Sequence, residues 1–583
     1  MKNSILKSGR LLAPMTLLMW LAGTASAAVP GISGTAFSLT AQPAFLNQPD
    51  GAAIYSWGYG CSSTTGNTFV PAAIAGATCP TMQVPGPTLV VAEGVTFTVT
   101  LTNNLPTAAG NTSILFPGLS VTSNCGATGT QQGLLTCEAQ SGSSVTYTIT
   151  APTAGTHAYY SGTQGDLQIE MGLYGAVVVI PAVANVPANC NAGYHTLNST
   201  AKTHWGEGDF RLSHAAYDHP GTCYDREYLF QWAEMDARIH QQALAQVRAL
   251  TGCAAGVAGC SLDVQTEPYH PAYFLINGRS MPDLMDPNFA GEYPHQPYNA
   301  NPHMHPGELT LIRTIGQGRW QHPFHEHANH VRILARDGNL VLTATTGACS
   351  TTTSTPGCVN FTSGLAGDTA VAAPGLAGIL MFNTDTTPGE SFDGIFYFTG
   401  RGLNWDPYGH HPGDTADPLA SLPCTPDVNG YNSSAPTALN FFEWCQDHNK
   451  PLQANPFGDV AAGGPATLPD PNVFTNGAWY GGSPYLGPDA TLRGNAPACV
   501  GSPYGTPNPT TPSGGAGTPP VNTANCTNLQ PANLQLNPAN ERGWAFMWHS
   551  HNEREITTNN VFPGGMLMMM LVDTREFVID ESL

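Results

Sequence analysis

Residues 321–334 read QHPFHEHANHVRIL. Side chains of a β-strand alternate between the two faces of its sheet, so His325 and His327 share one face and Glu326 takes the other. Residues 548–566 read WHSHNEREITTNNVFPGGM and repeat the pattern, with His549 and His551 on one face and Ser550 opposite. Two such strands side by side in a β-sandwich gather four imidazoles, a donor set that suits copper, zinc, iron or nickel. The reading turns on whether the surrounding chain is built of strands.

Residues 85–106, PGPTLVVAEGVTFTVTLTNNLP, alternate apolar and polar positions with β-branched enrichment and predict two short strands. SVTYTITAPTAGTHAYYSG (144–162) and GLYGAVVVIP (172–181) continue in the same style, with turn residues at short intervals. The second half repeats the plan. HMHPGELTLIRTIGQG (303–318) echoes PGPTLVVAEGVTFTVTL, GWAFMWHSH (543–551) echoes GTHAYYSG (155–162), and PGGMLMMMLVD (563–573) echoes MGLYGAVVVIP. The chain therefore reads as all-β, with two related domains at about 38–182 and 222–583. One helix is expected, EMDARIHQQALAQVRAL (234–250), near the join. A Pro-, Gly-, Asn- and Thr-rich stretch at about 401–540 reads as a disulfide-pinned, loop-rich insertion in the second domain.

Composition places the chain in a compartment. Only 10% of its 583 residues are charged, Lys plus Arg is 19 against 40 acidic residues, and the formal net charge is −21. A chain so poor in basic residues lacks the face that phosphate neutralisation requires, which excludes a nucleic-acid binder. Residues 1–27 carry Lys2, Lys7 and Arg10, then an apolar run, then an A-x-A signal at Ala25 and Ala27. They read as an export signal; its removal leaves 16 basic and 40 acidic residues, a net charge of −24. No other apolar run reaches the roughly 20 residues that span a bilayer. The expected location is periplasmic or extracellular. The 14 cysteines taken in chain order form seven local pairs: Cys61/Cys79, Cys125/Cys137, Cys190/Cys223, Cys253/Cys260, Cys349/Cys358, Cys424/Cys445 and Cys499/Cys526. Sequence does not fix connectivity, but local staples over short loops suit an oxidising compartment. If all seven form, no thiolate remains for a metal.

The histidine pattern resembles the multicopper oxidases. That family carries H-P-x-H-x-H near the start of its last cupredoxin domain, here intact as His322, Pro323, His325 and His327, and H-C-H-x-x-x-H near the end, here His549, Ser550, His551 and Glu555. INGRSMPD and PGESFDGIFYFTG are further framework matches. The resemblance implies two cupredoxin-type Greek-key β-sandwiches, as in the small two-domain members. It also implies lost chemistry. Leu115 and Pro117, and Tyr160 and Gly162, stand where the first domain of the family has its histidine pairs. Ser550 and Glu555 replace the thiolate and one imidazole of the electron-accepting copper, of which only His322 survives. A serine hydroxyl cannot supply the copper–sulfur bond on which such a site depends.

A smaller site remains. Four imidazoles from His325, His327, His549 and His551, or three with an open position for water, fit one copper, with zinc or another divalent metal as alternatives. His322, Ser550 and Glu555 form a possible second, harder nitrogen/oxygen metal set on the opposite face. His330 is a candidate for orienting a ligand by hydrogen bond, and Tyr160 for plugging the vacated pocket. Glu326 and Glu553 read by default as exposed carboxylates, His303 and His305 as a solvent-facing loop, and His295, His410 and His411 as surface residues. Met566 lies too far along to be an axial sulfur, and Met568, Met569 and Met570 read as core. The expected function is an exported copper-binding protein, an oxidoreductase at a mononuclear copper acting on a small-molecule or metal substrate. The alternative is a non-catalytic metal-binding or structural and assembly protein on the same scaffold. Oligomerisation is open, although the family's reason for a shared intersubunit cluster is missing because the first domain has no ligands to offer.

Overall fold

The computed structural model describes residues 29–74, 76–190, 209–304, 308–361, 370–398 and 543–572, with Ile579 and a few short pieces between 423 and 530. The export signal, His305, His410, His411, the pairs Cys424/Cys445 and Cys499/Cys526, and nearly all of 401–540 lie outside the described residues.

The described chain is overwhelmingly β. Four large sheets carry it, two of five strands in the N-terminal half and two of seven and six in the C-terminal half. The echoes in the sequence reappear as the same pairing pattern used twice. In the first half Thr96–Asn103 runs parallel to Ala36–Asn47 and antiparallel to Ser144–Thr150. In the second, Leu309–Gly316 runs parallel to Arg226–Met235 and antiparallel to Ser391–Tyr397. Leu89–Ala92 lies parallel to Tyr174–Ile180, which turns back against Gly155–Tyr160. Correspondingly, His303–Met304 lies parallel to Leu567–Val572, which turns back against Gly543–Ser550.

Each half buries its own core. Phe37, Leu39, Trp57, Phe97, Val99, Leu101, Tyr147 and Ile149 interdigitate with Leu89, Val91, Val177 and Val179 across the two N-terminal sheets. In the second half Tyr228, Phe230, Trp232, Ile312 and Phe396 pack against Phe324, Phe546, Trp548, Met566, Met568 and Met570. The alternation in TVTLTN thus points Val99 and Leu101 inward, and from the all-apolar MLMMMLV it is Met566, Met568, Met570 and Val572 that enter the core. The two halves are joined by a buried polar lock: Arg313 donates from Nε to Glu227 at 2.9 Å and from Nη1 to Thr156 at 3.0 Å. Thr156 and Tyr217 each donate to Asp393, at 2.6 and 2.5 Å.

The helix begins later than its sequence suggests. The strand Arg226–Met235 consumes Glu234 and Met235, Asp236 caps by accepting from the Arg238 backbone N–H at 3.0 Å, and the helix runs Ala237–Ala249. The local pull of EMDAR towards helix loses here to sheet pairing with Tyr273–Ile276. Five of the local cysteine pairs form: Cys61–Cys79, Cys125–Cys137, Cys190–Cys223, Cys253–Cys260 and Cys349–Cys358. Among the described residues no cysteine is free, and no helix is long and apolar enough to cross a membrane.

Candidate metal centre

The strand Pro323–Glu326 pairs antiparallel with Gly543–Ser550 in a register that sets His325 opposite His549 and Phe324 opposite Ser550. Directly opposed residues share a face, so the histidines stand together on one side while Phe324 and Trp548 pack the core on the other, with ring centroids 6.0 Å apart. His327 follows the strand. Its backbone N–H donates to Met547, and its carbonyl accepts from the Trp548 indole at 3.1 Å.

Three imidazoles converge. Ligand nitrogens of His325, His327 and His549 all lie within 4.8 Å of one another. Nε2 of His327 and Nε2 of His549 are 3.2 Å apart. Two nitrogens held at about 2.0–2.1 Å from one ion lie about 2.9–3.4 Å apart for bond angles between square and tetrahedral, so the observed spacing fits a shared metal. The tautomers fit as well. His325 Nδ1 donates to the Phe382 carbonyl at 2.5 Å and His549 Nδ1 to the Ser550 carbonyl at 2.6 Å. Each carbonyl fixes the proton on Nδ1 and leaves the Nε2 lone pair for a metal. Burial keeps the rings neutral: desolvation takes His325 down to about 4, helped by the neighbouring His549, His551 and His330 against the Phe382 hydrogen bond. Burial lowers His549 too. The His325 and His549 rings are therefore neutral donors at neutral pH, ready for a divalent metal such as copper.

His551 borders this group. It is exposed, with its ring 5.0 Å from that of His325 and stacked 5.8 Å from that of His549. The expected quartet is thus a triad with a fourth histidine at its rim, because His551 falls where the strand ends and the chain turns. His330 lies near the triad, packing beside it against Phe382, whose ring is 5.3 Å from His330 and 5.9 Å from His325.

The opposite face corrects the second metal set. His322 is fully buried between two carboxylates: Nδ1 lies 2.8 Å from Glu555 Oε2 and Nε2 lies 2.9 Å from Glu234 Oε2. Ionised carboxylates only accept, so both ring nitrogens donate and neither has a lone pair for a metal. Burial pulls the imidazolium down, but the two hydrogen-bonded carboxylates outweigh it and raise His322 to about 9. Ser550 Oγ donates to Glu555 Oε2 at 2.5 Å, and Asn552 donates to Oε1 at 2.9 Å. Glu234 Oε1 accepts from the Arg319 and Trp320 backbone N–H groups and from the Tyr269 hydroxyl. Tyr269 also donates to Glu170 at 2.6 Å. His322, Ser550 and Glu555 are together as their spacing suggested, but as an ion-paired hydrogen-bond network.

Other expectations shift with burial. Glu326 is 1% exposed, donated to by Thr384 Oγ1 at 3.0 Å, and desolvation pushes its carboxyl well above the usual range. The alternation that put it opposite two histidines also put it on the core side, the signal that identifies it. His303 is buried in a strand beside Leu567–Val572; its backbone N–H donates to Tyr228 Oη at 3.0 Å. His295 is half-buried and bonds to the Met82 carbonyl. Tyr160 packs against two apolar clusters. Met566 is buried in the core with Met568 and Met570. Glu234, Tyr269 and Glu170 carried no sequence signal: Glu234 sits in a stretch that reads as helix, 88 residues before His322.

Residues 76–183 match a family model described as multicopper oxidase. No curated protein matches the chain. Among solved structures it is similar to a blue copper oxidase from Nitrosomonas europaea, at 17% identity over 62% of this chain and 74% of that one, TM-score 0.32. It is similar to a copper nitrite reductase from Nitrosomonas europaea at 16% identity, over 63% and 84%, TM-score 0.33. A laccase from Botrytis aclada is similar at 15% identity, over 63% and 47%, TM-score 0.32.

Proposed function

We propose that this chain is a divergent member of the multicopper oxidase superfamily with an incomplete, histidine-only metal cluster, an exported protein that holds a single copper ion through His325, His327 and His549. The domains on this reading are two cupredoxin-type Greek-key sandwiches, about 38–182 and 222–583, the second carrying the 401–540 insertion. The observation that carries the metal reading is the 3.2 Å approach of the His327 and His549 Nε2 atoms beside His325.

Copper held there would supply one-electron redox chemistry, and three protein ligands would leave room for water or a small ligand. The chain's own residues do the holding. The Phe382 and Ser550 carbonyls aim the rings, the Trp548 indole ties down the His327 backbone, and burial limits the access of water to the three rings. His551 at the rim is placed to meet an incoming ligand or metal. An oxidoreductase acting on a small molecule is the activity this open position supports. Copper holding without turnover is the second reading. The closed His322–Glu555–Ser550 network favours it, since no thiolate electron entry of the family's kind remains.

Copper analysis with spectroscopy tests the reading. About one copper per chain is expected, with nitrogen ligation and no intense band near ~600 nm. His327→Ala with His549→Ala weakens copper binding by on the order of 100-fold or more, whereas Tyr160→Phe leaves it unchanged. Retained tight binding in the double variant would refute the site. Oxygen uptake with phenolic or metal-ion donors separates the enzyme from the holder.

A further inference from the structure

The network behind the triad is tied to the triad by sequence adjacency on both strands. Ser550 follows His549, and its cross-strand partner Phe324 precedes His325. Its hydroxyl points away from the histidines and into Glu555. His322 stands one residue before the strand Pro323–Glu326, and its backbone is held from both sides by Thr386, whose N–H donates to the His322 carbonyl at 3.0 Å. Glu234 comes from the other sheet of the same core. Three separate segments therefore meet on one imidazolium: the end of Arg226–Met235, the entry to one histidine strand, and the turn leaving the other. Glu234, His322, Ser550 and Glu555 are each at most 2% exposed.

We propose that this Glu234–His322–Glu555–Ser550 knot is the positioning device of the metal triad, setting from behind the separation of the two histidine strands and hence the affinity for copper. The inference rests on the triad being the metal site. His322 is a positioning residue, three residues from His325 and in no hydrogen bond with a triad ring.

The physical reason is the balance of buried charge. Two carboxylates flanking one imidazole in the protein interior are tolerable only with a cation between them. With His322 protonated, both its N–H groups are used and each carboxylate oxygen of Glu555 has a donor. With His322 neutral, one carboxylate faces a lone pair and is driven away. The segments that move are those carrying His325 and His549. The groups that face His322 are Glu234 and Glu555 directly, Ser550 and Asn552 through Glu555, and Tyr269 and the Arg319 and Trp320 backbone through Glu234. Tyr269 stays a neutral donor, because burial, then Glu170 and Glu234, raise its phenol well above its ordinary value. His322 is thus the group whose proton is lost first, near pH 9.

This makes an unusual pH signature. Proton competition at imidazole ligands alone makes metal binding strengthen as pH rises. A triad held by the knot binds more weakly as pH passes through about 9. The experiment measures Cu(II) affinity of the full chain from pH 7 to 10 against a chelator, which cancels hydroxide binding to the free ion. Near-ultraviolet circular dichroism of the buried tryptophans reports the fold at each pH. The expected result is a fall of roughly 10-fold or more between pH 8 and 10 with the dichroism retained, and loss of that fall in His322→Gln. Ser550→Ala, which removes a hydrogen bond and no charge, keeps the fold and the falling limb with a few-fold lower affinity. Affinity that is flat or rises to pH 10, or a fall that persists in His322→Gln, overturns the proposal while leaving the metal site standing. Absence of Cu(II) binding at pH 7 overturns the site itself and the knot's role with it.

Discussion

The two halves of the molecule each bring one strand-to-strand crossing to the same point of the repeated topology, and they fill it differently. In the first half Leu115 bridges to Tyr160. In the second His325 faces His549. Leu115 borders a cleft of about 400 Å³ lined with Phe116, Pro117, Val121 and Leu135, and the Tyr160 ring is taken up by apolar clusters. The second crossing carries three buried imidazoles in front and an imidazolium between two carboxylates behind. The scaffold fixes which side chains meet; their chemistry decides whether the meeting point is packing or a metal centre. The N-terminal crossing is stable without special conditions, because apolar contacts carry no charge to balance. The C-terminal crossing depends on protons.

That contrast can be broken most severely at Glu555. Glu555→Ala leaves the buried imidazolium of His322 with one carboxylate and a void, and a broken buried ion pair costs about 3–5 kcal/mol. Tyr160→Phe at the other crossing removes only a phenol hydroxyl and is expected to change stability by under about 0.5 kcal/mol. Urea denaturation of the two variants at pH 7 measures both; equal losses would remove the distinction between the crossings.

A smaller, conditional effect follows from pH. The folded state holds the His322 proton more tightly than the unfolded chain does, so the stabilisation is fully present below about pH 6.5. It is lost as pH rises through about 9. Unfolding midpoints should drop over that window in the wild type and hold steady in His322→Gln. A wild-type midpoint that rises from pH 7 to 9.5 would contradict the ion-paired knot.

The smallest change is spectroscopic. Ser550→Cys places sulfur between the two histidines, yet His322 stays committed to Glu234 and Glu555 and no second imidazole replaces Glu555. Copper-loaded Ser550→Cys is expected to show no intense band near ~600 nm. Its appearance would mean that the knot yields readily to a thiolate.

Much of this was legible along the chain, and the failures have identifiable causes. Alternation in HPFHEH and WHSH put the histidines on one face, and that survives because a two-residue period cannot slip without exposing Phe324 and Trp548. The same rule placed Glu326 on the core side, where a default preference for exposed carboxylates misled. The helix start shifted to Ala237 because pairing with Tyr273–Ile276 extends the preceding strand through Met235. His303 was read from its Pro-rich surroundings, while a parallel partner more than 260 residues later, Leu571, buries it.

The sequence by itself determined a β protein built twice on one plan and a pair of H-x-H strands with serine, not cysteine, between the second pair of histidines. Those are properties of short period and close spacing. Only the tertiary structure decided that three histidines converge while His551 stays at the rim, and that His322 serves two glutamates instead of a metal. Strand register selects the first, and the second needs Glu234 from a distant strand to arrive on the buried side of the imidazole. Neither distance along the chain nor residue type carries that information, because it arises when two sheets close over one core.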